Sequence, residues 1–239
     1  MQKFKILIWL LILFTANSNI GLTQSLEKEL VMADSLYEKK QYISAIKIYD
    51  KIYKEGKSSP AMLLKLARIE EGMGNIGNSI FYLENYFQQT KDETALQYLK
   101  ETTEKKNAIG FEYGLSYKAD LFYKEWKIYL QSFLSILLLF GFGMMIKNQK
   151  SATKKRSYFA FTIFPILVIA LLNNYQGKSE AIIISTPSFL LEGPSSGANL
   201  IEKVNSPAKV QVKDQIDVWS KVVFEDKVAY IKTSQIKSL

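Results

Sequence analysis

The chain contains neither cysteine nor histidine. That removes a thiol nucleophile, a disulfide framework, cysteine or histidine ligation of a metal, and the Ser-His-Asp relay. It also removes the cysteine on which a diacylated lipoprotein anchor is built. Hydroxyls, carboxylates and amines are what remain for chemistry. Gly193-Pro194-Ser195 does not have the strand-turn-helix setting of a nucleophile elbow, and no glycine-rich phosphate loop is present. The neighbouring acids Glu70 and Glu71 sit in a helical pattern rather than opposite one another across a cleft. The reading is a protein that is not an enzyme, with no catalytic residue, no metal site and no cofactor.

The 239 residues carry a net charge of +8. Lysines are spread over helical faces, and the densest basic block lies between two apolar runs. No basic face interleaved with stacking aromatics appears, so nucleic acid is not the implied partner. The elements that must position any site therefore divide between water and lipid bilayer.

At the N-terminus Lys3 and Lys5 precede the apolar stretch Ile6 to Phe14, followed by small and polar residues including Ala16 and Ser18. This is the layout of a signal peptide over residues 1–24, with an uncleaved anchor as the alternative. Residues 129–146 read as a first transmembrane helix, with Trp126 and Tyr129 at its edge. Residues 158–175 read as a second, with Tyr158 and Tyr175 at its ends. A buried soluble hairpin is the alternative, but neither run has a polar face. Between them, 147–157 hold Lys147, Lys150, Lys154, Lys155 and Arg156 without an acid, which the positive-inside rule puts in the cytoplasm. The expected localisation is a bacterial inner membrane, crossed twice after signal cleavage, with both soluble portions periplasmic.

Residues 25–107 read as helices and repeat with a step of 34, which maps Ala33 onto Ala67, Tyr42 onto Ile76, Ala45 onto Ser79 and Tyr49 onto Leu83. Ser59-Pro60 marks the start of the second copy, and 92–106 form a polar final helix with Ala95, Leu96 and Leu99 on its packing side. "MADSLYEKKQYISAIKIYDKIY" and "LARIEEGMGNIGNSIFYLENYF" resemble tetratricopeptide repeats, through Met32-Ala33, Leu66-Ala67 and Ala45 with Tyr49. The resemblance implies a concave face that binds a peptide or helix, with Asp34, Tyr37, Arg68 and Glu71 on it. Residues 108–128 read as a linker.

From Ser179 to Leu239 the pattern changes to short β-rich runs, "AIIIS", "SFLL", "NLIEKV", "AKVQV", "VWSKVVF" and "VAYIK", which suggest a small barrel. "FLLEGPSSGANLIEKV", "VWSKV" and "VAYI" followed by "TSQI" resemble the bacterial SH3-like domain. Trp219 and Tyr230 are then either a stacking platform for a cell-wall peptide or core residues of their strands.

The expected fold is thus a multi-domain membrane protein: all-α tetratricopeptide hairpins, a two-helix transmembrane hairpin and an all-β SH3-like barrel. That order of segments resembles the BatE family of bacterial aerotolerance proteins. The resemblance implies a scaffold in an envelope-stress complex, partnered by membrane-associated von Willebrand A-domain proteins near a MoxR-type ATPase. A sensor that binds peptidoglycan through the barrel is the alternative function.

Overall fold

Residues 20–147, 152–174, 179–205 and 207–239 are described by the structure, a computed structural model. The signal-peptide reading falls almost wholly outside them, as do Lys150 and Tyr175. The chain divides after Thr90 into two compact units.

The first unit is helical: α1 (Ile20–Glu38), α2 (Tyr42–Lys54), α3 (Pro60–Gly72) and α4 (Ile76–Thr90). Small residues set its pairing. Ala33 and Ala45 are fully buried where α1 meets α2, and Ala67 and Ser79 are buried in α3 and α4, which pair in turn. Tyr49, Leu63, Leu66, Ile80, Phe81 and Tyr82 fill the space between. Ser59 accepts a hydrogen bond from the Met62 amide at 3.3 Å, and Pro60 occupies the first turn of α3, where its missing N–H would have had no helical partner anyway. The two intrapair turns need a left-handed residue 34 positions apart: Lys40 at φ 59° and Gly74 at φ 80°.

The second unit begins with α5 (Glu93–Lys105), whose first turn is capped by Asp92 accepting from the Thr94 amide at 2.9 Å. Ala95, Leu96 and Leu99 are buried. Helix α6 (Leu115–Lys147) then starts well before residue 129, so that much of the stretch read as a linker is helix. Leu115 to Lys127 contains no proline or glycine, and nothing stops the helix that the apolar run requires.

Among the described residues α6 alone is long and apolar enough to cross a membrane, over Leu115–Met144. This corrects the expectation of a two-helix transmembrane hairpin. Helix α7 (Ala152–Asn174) takes Lys154, Lys155 and Arg156 into its first turns, and its apolar stretch is only Thr162–Asn173. At 1.5 Å per residue that covers roughly 18 Å, against a hydrocarbon core of about 30 Å. Helix α7 packs along α6. The Tyr123 hydroxyl donates to the Leu172 carbonyl and the Gln131 amide to Asn173 Oδ1, each at 2.7 Å, so the end of α7 lies beside the first half of α6.

The expected closed SH3-like barrel is corrected as well. Strands β1 (Glu180–Ile183), β2 (Ser188–Leu191), β3 (Leu200–Val204), β4 (Ala208–Ile216), β5 (Trp219–Phe224), β6 (Lys227–Lys232) and β7 (Ile236–Ser238) form one sheet in the order β3-β2-β6-β5-β4-β1-β7. Its strand pairs are antiparallel. The sheet curls enough for Ile183, Leu190, Val210, Val222, Phe224 and Ile231 to share one core. It stays open, because closure needs hydrogen bonds between the first and last strands, and the edge strands β3 and β7 form none with each other.

Candidate functional site

Helix α1 carries Asp34 and Tyr37, and α3 carries Arg68 and Glu71. Lys65, three residues before Arg68 on the same side of α3, joins the two helices. Its Nζ lies 2.9 Å from Asp34 Oδ1 and 5.3 Å from the centre of the Tyr37 ring. The same Asp34 oxygen accepts the Tyr49 hydroxyl of α2 at 2.5 Å. Tyr37 also meets Tyr42 edge to face, with ring centres 5.6 Å apart. Three helices therefore converge on one carboxylate. Asp34 and Tyr37 are brought together, through a lysine that the sequence reading did not single out. Arg68 stands exposed beyond this cluster, and Glu71 is half-buried.

Burial, then the hydrogen bond to Asp34 and its charge, push the Tyr49 phenol well above its ordinary range. A second such pair lies deeper: the Tyr82 hydroxyl of α4 donates to Asp50 of α2, and burial followed by that hydrogen bond raises Tyr82 in the same way. Tyr53 is raised by burial and then by the Asp50 charge. Lys51 is raised by its hydrogen bond to Glu29. Glu70 is buried and accepts from Asn75 Nδ2 at 2.8 Å, which holds the turn between α3 and α4. Along α2 an open groove of about 450 Å³ is lined by Lys47, Asp50, Lys51, Lys54 and Glu55. Its lining is of mixed charge and it lies open to solvent.

In the sheet, Trp219 and Tyr230 share a face of β5 and β6. Trp219 stands opposite Lys232, and Tyr230 opposite Lys221 and Leu191. Trp219 is buried and Tyr230 half-buried, and neither belongs to the apolar core cluster on the other face. They occupy diagonal positions, and no stacked pair is formed by them among the described residues. Ser195 Oγ accepts the Gly197 amide at 3.2 Å inside its own turn. Among the described residues no three histidine, cysteine, aspartate or glutamate side chains are grouped to hold a metal ion.

No protein-family model matches the chain, and the curated proteins searched contain no match to it.

Proposed function

We propose that the chain is a non-catalytic, membrane-anchored scaffold that offers the α1–α3 face to a protein partner. The observation that carries this reading is the Asp34–Lys65–Tyr37 cluster. Side chains already held by one another lose little freedom on binding, and a pre-ordered face costs less to occupy. Arg68 beside it supplies an exposed cation for an acidic group on a partner. The exposed apolar length of α6 supports anchoring in a membrane.

The resemblance of the repeats to tetratricopeptide units, and of the segment order to the BatE family, supports von Willebrand A-domain membrane proteins as the partner class. The signal-like N-terminus supports a bacterial inner membrane with the helical unit on its exported side. The test is recovery of crosslinked partners by the full-length protein in mild detergent, beside Arg68→Glu/Glu71→Lys. Such partners are expected with the native chain and reduced several-fold with the variant, while helix content by circular dichroism is unchanged. Equal recovery by both forms rules the α1–α3 face out. Murein fragments without protein partners move the function to a wall sensor.

A further inference from the structure

Between α5 and α6 the chain is fastened to the sheet by its backbone. Ile109 forms a parallel bridge with Ala208 at the start of β4. Its N–H donates to the Pro207 carbonyl at 3.1 Å, and its carbonyl accepts the Lys209 amide at 2.8 Å. Gly110 follows at φ 78°, and a Cβ there would lie 2.6 Å from the Lys209 carbonyl oxygen. Only glycine combines that conformation with so close an approach.

The side chains continue the contact. Lys209 Nζ lies 5.3, 5.4 and 5.1 Å from the ring centres of Phe111, Tyr113 and Tyr117. Tyr113 and Tyr117 meet edge to face at 5.2 Å, and Phe111 lies 6.5 Å from Tyr113. The Lys209 side chain is only 6% exposed, with Glu180 Oε2 at 3.8 Å. An ammonium withdrawn from water this far needs compensation, and three ring faces with one carboxylate supply it. Tyr117 belongs to the first turn of α6, so the cage is built partly from the connecting segment and partly from the apolar helix itself. Two surface ion pairs nearby, Lys118–Glu93 and Lys91–Glu125, are exposed and add little.

We infer that residues 109–117 and Lys209 form a clip that fastens the sheet to the first turn of α6, with the lysine as its pin. The inference stands apart from the scaffold reading, since it concerns contacts within the second unit and needs no partner. A tether of ordinary loop residues would leave the sheet free to swing. The clip instead makes the sheet follow the start of α6, and a tilt of that helix would reach β4 directly.

Hydrogen exchange on the full-length protein in mild detergent tests this with Lys209→Met, which keeps length and removes charge, and with Phe111→Leu/Tyr117→Leu, which leaves every strand untouched. In the native chain the amides of Ile109 and Lys209 should exchange at least about tenfold more slowly than those of Glu112 and Gly114. Both variants should lose that protection while Val222 and Ala229 in the sheet keep theirs. If Lys209→Met also unprotects Val222 and Ala229, the ring variant alone decides. Retained protection in the ring variant, or in a folded Lys209→Met, overturns the clip.

Discussion

Two carboxylates of the helical unit, Asp34 and Asp50, each hold a tyrosine hydroxyl. Tyr49 and Tyr82 donate to Asp34 and Asp50, and burial with those contacts raises both phenols. A phenol raised in the folded state contributes stability that is fully present below its unfolded pKa, about 10, and is lost as pH climbs toward the folded value. The helical unit should therefore hold its stability through neutral pH and lose up to about 1.4 kcal/mol per pH unit for each tyrosine above pH 10. Urea unfolding of the native protein and Tyr49→Phe/Tyr82→Phe at pH 8 and at pH 10.5 checks this. The variant should be less stable at pH 8, by about 1 kcal/mol per lost hydrogen bond, and should decline less on going alkaline. An equal decline in both forms would trace the alkaline loss to other groups. At this scale Asp34 and Tyr37 were marked out in the sequence only through the repeat resemblance, as residues of a concave face. Lys65 was not, because its meaning depends on a carboxylate and a ring on another helix, 31 and 28 positions earlier, and a lysine in a helix otherwise reads as solvated surface.

Among the elements, local signals carried further than non-local ones. Ser59-Pro60 and the buried alanines are local, and α3 begins where they say. Closure of the sheet depends on whether two distant edges meet, which alternation within each run does not encode. The three-residue β7 is too short to show a period, and the bridge at Ile109 is a single residue pair inside a stretch that reads as linker. The start of α6 was hidden differently: hydropathy marks where a bilayer could lie, while the helix begins earlier and takes in Lys118, Lys124 and Lys127. The step of 34 makes one prediction of its own at this scale. Lys40 occupies the left-handed turn position that Gly74 fills in the second copy, at an intrinsic cost of roughly 1–2 kcal/mol. Lys40→Gly should relieve that strain and, after the greater chain entropy of unfolded glycine, stabilise the unit by about 0.5–1 kcal/mol. Thermal unfolding reads the sign: a lower midpoint would mean that the lysine side chain contributes more than its backbone costs.

For the whole molecule the deciding feature is apolar surface that no other element among the described residues covers. Phe133, Ile136, Leu139, Phe140 and Phe142 of α6 are each more than half exposed, as are Phe164, Ile166, Leu167 and Leu171 of α7. Full burial of such a side chain is worth about 1.5–3 kcal/mol, and at these exposures the nine together forgo roughly 8–17 kcal/mol in water, as much as the 5–15 kcal/mol by which a typical domain is stable. A lipid surface relieves that cost without any change in fold, and Trp126 and Tyr129, with ring centres 5.8 Å apart, suit the headgroup level beside Lys124 and Lys127. Ile136 and Leu139 stand three apart on this exposed side, whereas Leu134 is buried. Ile136→Arg/Leu139→Arg should therefore weaken membrane association by about 2.5–3.5 kcal/mol per arginine at mid-bilayer depth while the contact with α7 is left alone. Flotation with liposomes measures it: the native chain should rise with the lipid, and the double variant should stay largely in the dense fraction with helix content intact by circular dichroism. Unchanged flotation would mean that α6 does not carry the membrane contact, and the search would move to α7, where Phe164, Ile166 and Leu167 offer the next exposed apolar face.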